Sequence, residues 1–520
     1  MTPKFALTLC AVAILFTTAV CSTGYITPGS MQATADSAAK APATAFYVEP
    51  SATNLPAPTT TVANPTATPL VLPSATPGDS PTPSPPILYS AQSGDSLVIV
   101  AIHFGVDPEE ILSPSDIPEG LIPPGQLLVI PNVLGEVGPA EHLLPDSDVV
   151  YSPSLIGFNA DQQARQMGGY LGTYREYLSD AWHSGGQVLE KIGVENSVNP
   201  RLLMSILEFE SHWTLGQPGS IFEQDNPIVA IDERSKGLFA QMYWVMKQIS
   251  VGYYGWREGR LTYLTFADGS VVRLAPELNA GSVAIQYLFS QLYDYPEWLE
   301  VINKESGFPA LHASMFPDPW VRAAEEEPLM PAGLAQPPLS LPFYKQQVWS
   351  YSSGPHGAWD RVGSFAALDF APSSAEPGCV DSSQWVTAAS PGMVVREGPG
   401  LVVLDLDGDG NEQTGWVLVY LHVKHDDRIK VGDWLERGAL IGFPSCEGGY
   451  STGSHLHITR KYNGEWVYAA GPIPFNLSGW VAEYGGVAYK GTLTREGVTL
   501  TACTCGNPTT RISRSTNDPY

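Results

Sequence analysis

Positive charge is what this sequence has least of. Lys and Arg number 27 against 53 Asp and Glu, the formal net charge is −26, and only 15% of the 520 residues are charged. So acidic a chain repels phosphate backbones, which excludes nucleic acid as a partner. Long apolar runs are nearly missing too. One stands at the start, from Phe5 to Val20 behind Lys4. By size and charge it reads as an export segment over residues 1–21, too short for a comfortable spanning helix. Membrane contact is expected only through that segment, if it is retained or lipidated. Cysteine is sparse: six in all, of which Cys10 and Cys21 belong to the export segment. Cys21 follows Val20, where lipid modification asks for a small residue. Lipidation, ordinary cleavage and an uncleaved anchor all stay open.

Proline and glycine are plentiful, at 46 and 50, and unevenly spread. Residues 22–86 are rich in Pro, Thr and Ala, with runs such as Pro81-Thr82-Pro83-Ser84-Pro85-Pro86. They cannot bury a core and read as an extended spacer. About 60 such residues at ~3 Å each reach on the order of 150 Å. The remaining length, with 43% hydrophobic residues, is enough for several domains. The reading is a multidomain α+β protein: a small βααβ unit at 87–133, a helical domain at 150–330, a mainly antiparallel β domain at 342–485 and a polar tail at 486–520.

In the first unit Tyr89 begins a strand, and Asp95 or Ser96 is placed to cap a helix. Leu97, Val100, Ala101 and Phe104 share one face of that helix, and Gly105 ends it. A second short helix is expected over Pro108–Leu112, and Leu127–Ile130 closes the unit as a strand. Gly94-Asp95-Ser96-Leu97, Phe104-Gly105-Val106 and Pro124-Gly125-Gln126 with Ile130-Pro131 resemble a LysM module. The resemblance implies binding to the N-acetylglucosamine chains of peptidoglycan or chitin. Ser113-Pro114-Ser115-Asp116 departs from the Asn usual after the second helix.

In the helical domain Asn199-Pro200 starts a helix, with Asn as cap and Pro at the first position. Leu202, Leu203, Ile206, Phe209 and Trp213 follow helical spacing. Glu210 falls among apolar neighbours, where a carboxyl pKa rises and general-acid work becomes feasible; an ordinary helix carboxylate is the other reading. Glu210-Ser211, Gly237-Leu238-Phe239-Ala240-Gln241, Asn279-Ala280-Gly281 and Tyr287-Leu288 follow the order of the lysozyme-like lytic transglycosylases, which this stretch resembles. That resemblance implies Glu210 as a lone acid/base on glycan strands. Ala267-Asp268-Gly269-Ser270 reads as the turn of an inserted hairpin.

The β domain centres on Gly453-Ser454-His455-Leu456-His457-Ile458-Thr459. Alternation along a strand points His455 and His457 to one face and Leu456 and Ile458 to the other. Two imidazoles at that spacing suit a metal ligand with a proton-transfer partner. Together with Asp369 before Ala371-Pro372, Val386 with Gly392-Met393-Val394, Tyr420-Leu421-His422, Val431-Gly432-Asp433 and Gly438 with Ile441-Gly442, this order resembles the lysostaphin/LytM-type (M23) zinc endopeptidases. The resemblance implies Zn2+ on Asp369 and His457, with His422 and His455 as catalytic histidines. Its first zinc ligand would stand four residues before Asp369, where this chain has Phe365. His356 is the nearest candidate, if the residues between it and Asp369 loop out; without it the site is degenerate.

Asp405-Leu406-Asp407-Gly408-Asp409-Gly410 places acids at alternate positions. A full EF-hand needs Glu where Trp416 stands, so a hairpin with an optional Ca2+ and a plain acidic turn remain as readings. Cys379 and Cys446 flank the groove so defined, and an oxidising exterior permits them to pair; Cys503 and Cys505 have no assignment. The function expected is an exported peptidoglycan hydrolase whose zinc endopeptidase cuts peptide cross-links while LysM holds glycan. The rival is a non-catalytic wall-binding scaffold or hydrolase activator with a degenerate metal site.

Overall fold

The apolar, largely β-branched and aromatic stretches Leu401–Asp405 and Trp416–Leu421 build the centre of one antiparallel sheet. In the computed structural model, which describes residues 84–179, 181–228, 235–374, 376–505 and 507–518, that sheet has nine strands. Edge to edge they run Trp434–Leu435, Gly392–Gly398, Leu401–Asp405, Trp416–Leu421, Leu456–Tyr462, Ala367–Pro372, Val348–His356 and Arg511–Ser513, with Glu465–Trp466 beside Leu456–Tyr462. Strand alternation sorts the side chains into two cores. Leu401, Val403, Val417, Val419 and Leu421 pack with the helices, whereas Val402, Leu404, Leu418, Tyr420, Leu456 and Ile458 join Phe343, Trp349 and Phe370 on the other face. The export segment, and the spacer up to residue 83, lie outside the described residues.

The helices cover the first face. Asn199 caps Pro200–Ser211 by accepting from the Arg201 N–H, and Leu202, Leu203 and Ile206 are buried along it. Leu238–Arg257 and Ala280–Ser290 pack with it, and Tyr263–Thr265 with Val271–Arg273 forms the hairpin around Ala267–Ser270. Among the described residues no helix is long and apolar enough to cross a membrane.

In the N-terminal unit Ile87–Ser90 pairs antiparallel with Leu127–Ile130, and the helix Leu97–Phe104 ends at Gly105, whose φ of 67° suits glycine. Two details differ from expectation. The Ser96 hydroxyl makes no capping bond, and Asp95 instead accepts from the Tyr89 hydroxyl and the Gln92 N–H, both at 2.7 Å. The second helix is a single 3-10 turn, Pro108–Glu110, because Leu112 pulls the chain into extended bonds with Val129.

Arg257 ends the longest helix of the described residues and is largely enclosed between segments far apart in sequence, its side chain 10% exposed. Its guanidinium pairs with Asp146 at 2.6 Å and Glu465 at 2.8 Å, and donates to the Ser93 carbonyl. Beside it the His103 ring stacks on Trp256 with centroids 3.5 Å apart.

The stretch expected as a polar tail is folded. Gly491–Arg495 and Val498–Thr501 complete a four-stranded antiparallel sheet with Asn476–Leu477 and Trp480–Tyr484, and Arg511–Ser513 pairs with Val348–His356. Leu493, Leu500 and Ile512 are its buried anchors, each isolated among polar neighbours. Cys379 is bonded to Cys446, and Cys503 to Cys505.

Candidate metal centre

Strand register builds the site. His457 lies directly opposite Asp369 on one side and Leu421 on the other, so the imidazole and the carboxylate share a face. The pairing of Val348–His356 with Ala367–Pro372 slips between Ser353 and His356. That irregularity bends the strand end and turns His356 inward. Gly357 then allows a tight reversal: a Cβ there would meet the Asp360 carbonyl oxygen at 1.7 Å. Phe365 stands away from the trio, under the Arg260 guanidinium, so the residues after His356 do loop out.

His356, Asp369 and His457 are all buried, and one ligand atom from each lies within 4.8 Å of the others. His356 Nε2 is 3.1 Å from His457 Nδ1, and Asp369 Oδ1 is 3.3 Å and 3.2 Å from them respectively. The outer nitrogens settle the tautomers. His356 Nδ1 donates to the Gly354 carbonyl at 2.8 Å, and His457 Nε2 donates to the Ala358 carbonyl at 2.9 Å. In the neutral rings both inward nitrogens then carry lone pairs. Asp369 Oδ1, buried between them, accepts no hydrogen bond. Three acceptors converging without a donor fit a cation and little else.

The electrostatics agree. Burial pushes the Asp369 carboxyl up, but His356 and His455 beside it hold it well below the usual carboxylate range. Burial also disfavours charge on His356, and Asp369 outweighs this and raises its pKa. A cation at the centre would meet the same carboxylate and displace that proton. Burial lowers the pKa of His457.

His422 and His455 complete the cluster, with ring centroids 4.4 Å apart. His422 sits just past the end of Trp416–Leu421 at φ 62°, a left-handed conformation that costs a non-glycine residue energy. Ser445 holds it there through its N–H, 2.6 Å from the His422 carbonyl. His422 Nδ1 faces the Glu447 carbonyl at 2.7 Å, and burial first, then His455 and His457, push its pKa down to about 3. His455 Nδ1 faces the Gly453 carbonyl at 2.8 Å, and its Nε2 lies 3.7 Å from Asp369. The Cys379–Cys446 bridge braces this wall, since the Ser454 N–H donates to Gly378 and the His455 N–H to Ser445.

One further residue reaches the site from the stretch expected as a tail. The Tyr489 ring stacks on His356 with centroids 4.6 Å apart. Its main chain exchanges bonds with Gly354 and Pro355. Sequence reasoning missed it; the sole cue is an aromatic residue in a glycine-flanked loop, Gly485 to Gly491. The whole cluster opens onto a groove of about 670 Å³.

Glu210 is not among the described residues lining that groove. It lies in the helical region, where its Oε1 accepts from the Tyr293 hydroxyl at 3.0 Å. Burial raises its pKa to about 7. A carboxyl raised by folding stabilises the fold below its unfolded pKa, and that contribution is lost as pH rises towards 7. Glu210→Gln is therefore expected to melt at a higher temperature than the parent at pH 8 and at nearly the same temperature at pH 4, by calorimetry. Equal melting at both would contradict the assignment.

Asp405, Asp407 and Asp409 also cluster, yet their oxygens accept from the loop's own groups: the N–H of Asp407, Asp409, Gly410 and Asn411 and the Thr414 hydroxyl. Nothing in this arrangement calls for calcium.

Comparison with known proteins shows what the chain is similar to. A family model described as the LasA N-terminal domain matches residues 142–330, the stretch for which a transglycosylase likeness is expected above. Protease LasA of Pseudomonas aeruginosa strain PAO1 is 25% identical over 379 aligned residues, covering 66% of this chain and 81% of that protein. The strain UCBPP-PA14 protein is 25% identical over 376. Among solved structures, the M23 metalloprotease pseudoalterin from the deep sea is 24% identical, covering 33% of this chain and 96% of that one at a TM-score of 0.27. The lysostaphin catalytic domain of Staphylococcus simulans is 26% identical, covering 23% and 87% at 0.17. By these similarities the chain is a metalloendopeptidase that resembles Protease LasA in sequence.

Proposed function

We propose that this is an exported, peptidoglycan-active endopeptidase whose metal is zinc, held by His356 Nε2, Asp369 Oδ1 and His457 Nδ1. The supporting observation is the buried Asp369 oxygen, which faces two lone pairs and no donor. Two imidazoles and one carboxylate leave a fourth position free, the pattern of a catalytic rather than a structural zinc site. Bound there, zinc supplies Lewis acidity that polarises a peptide carbonyl and acidifies water near neutral pH.

The chain's own groups do the rest. The Gly354 and Ala358 carbonyls fix which imidazole nitrogens face inward. His422, with Nδ1 committed to Glu447, keeps Nε2 free to take a proton from the attacking water. His455 donates Nδ1–H to Gly453, so its Nε2 stabilises charge developing on the carbonyl oxygen only as the N–H of a protonated ring. Residues 87–133 are read as a LysM module holding glycan. The helical region is read as lysozyme-like, with Glu210 as its candidate acid.

Elemental analysis of the purified chain tests the reading. About one zinc per chain is expected. Release of peptide fragments from peptidoglycan should stop on chelation and return with added zinc. A chain that holds no zinc and releases nothing would be a wall-binding scaffold instead.

A further inference from the structure

The groove around the metal cluster has a charge unlike the rest of the molecule. The chain as a whole carries −26. The groove is lined by three cations, Lys247, Arg361 and Lys490, and by two acids, Asp360 and Asp369. Both acids are already engaged: Asp369 belongs to the metal cluster, and Asp360 pairs with Lys247 at 2.9 Å. Among the described residues, Arg361 and Lys490 have no carboxylate partner. They come from two loops that line the same groove. Arg361 lies in the loop that follows His356, and Lys490 follows Tyr489, whose ring covers His356. The Arg361 guanidinium also lies 4.6 Å from the centroid of the exposed Tyr450 ring, which belongs to a third loop of the groove. That stacking holds the plane of the guanidinium and leaves its N–H edge free for a ligand.

We propose that Arg361 and Lys490 read a free carboxylate on the peptide substrate beside the scissile bond, so that acidic peptide strands are selected over neutral ones. The inference rests on the peptidase reading above and names its substrate class. Two N–H groups of Arg361 match the two oxygens of a carboxylate, and Lys490 adds a point charge next to them. Elsewhere the acidic surface repels such a substrate, so the local excess of cations also steers it into the groove.

The test uses the full chain loaded with zinc and two synthetic peptides that differ at one group, a free carboxylate in one and its carboxamide in the other. The acid is expected to be favoured about tenfold in kcat/KM, through KM, as for one charge-assisted contact and one exposed ion pair. The preference should shrink as salt is raised. It should collapse towards one in the Arg361→Gln, Lys490→Gln double variant and be partly kept in Arg361→Lys. Equal KM values for the two peptides, or a preference that survives the double variant, would overturn the proposal. If neither peptide is cut, or His457→Ala cuts both as well as the parent, the peptidase reading fails instead. Calorimetric binding of the two peptides to the His457→Ala chain then decides the carboxylate question by itself: tighter binding of the acid upholds it, and equal binding overturns it.

Discussion

His457→Ala is expected to leave a folded chain that holds no zinc after dialysis and hydrolyses peptide cross-links at least about a thousandfold more slowly. The substitution removes Nδ1, one of three donors, and leaves His356 and Asp369 to hold the ion alone. It also frees the Ala358 carbonyl, which His457 Nε2 now engages. The fold should survive, because Leu456 and Ile458, which anchor the same strand, face the other core. Asp369→Asn is a second route to the same outcome. It keeps the shape of the side chain but loses the charge that offsets the ion. Metal content, fragment release and a melting curve, measured together, check the point. A His457→Ala chain that still cuts at the parent's rate would end the assignment of this site.

Arg257→Ala should cost about 3–5 kcal/mol of stability, the range seen when one member of a buried ion pair is removed. Asp146 and Glu465 would both be left in the interior without the cation they now share. Arg257→Met, which fills more of the volume, should be nearly as damaging, because the carboxylates stay unpaired. The sign of the pH effect follows. Burial already raises the pKa of Glu465, and Arg257 opposes that. Without Arg257 the rise is larger, so the variant should recover stability as pH falls, when the carboxyls take up protons, and lose it as pH rises. Denaturant melts at pH 5 and pH 8 measure this. A loss under about 1 kcal/mol at both would mean that the hub contributes little.

How much of this was legible in the sequence depended on local pattern. The alternation through His455-Leu456-His457-Ile458 is visible because apolar and imidazole side chains take turns, and the structure buries Leu456 and Ile458 on the face opposite the imidazoles. The start of the helix at Asn199-Pro200 is equally plain, since cap and first-turn residues announce themselves. Spacing within the candidate metal site was harder. Twelve residues separate His356 from Asp369, and no local rule says whether they loop out or unite. Pairing between strands distant in sequence decides that. The contribution of Tyr489 was hidden for the same reason: Leu493, Leu500 and Ile512 are too isolated to signal a sheet, and Tyr489 is placed by bonds to Gly354 and Pro355 from far upstream. The role of Arg257 had no cue, because Ser93, Asp146 and Glu465 meet it only in three dimensions.

The register of Ala367–Pro372 against Leu456–Tyr462 has a consequence for how such a centre tolerates change. Asp369 and His457 are cross-strand partners, so adding or deleting one residue within either strand would rotate a ligand to the opposite side and dismantle the centre in a single step. Length changes in the loop after His356 move no strand. The distance along the chain between His356 and Asp369 is therefore free to drift, while the pairing between Asp369 and His457 is not. A search for comparable centres in other chains would do better to fix the paired strands and leave the first interval open.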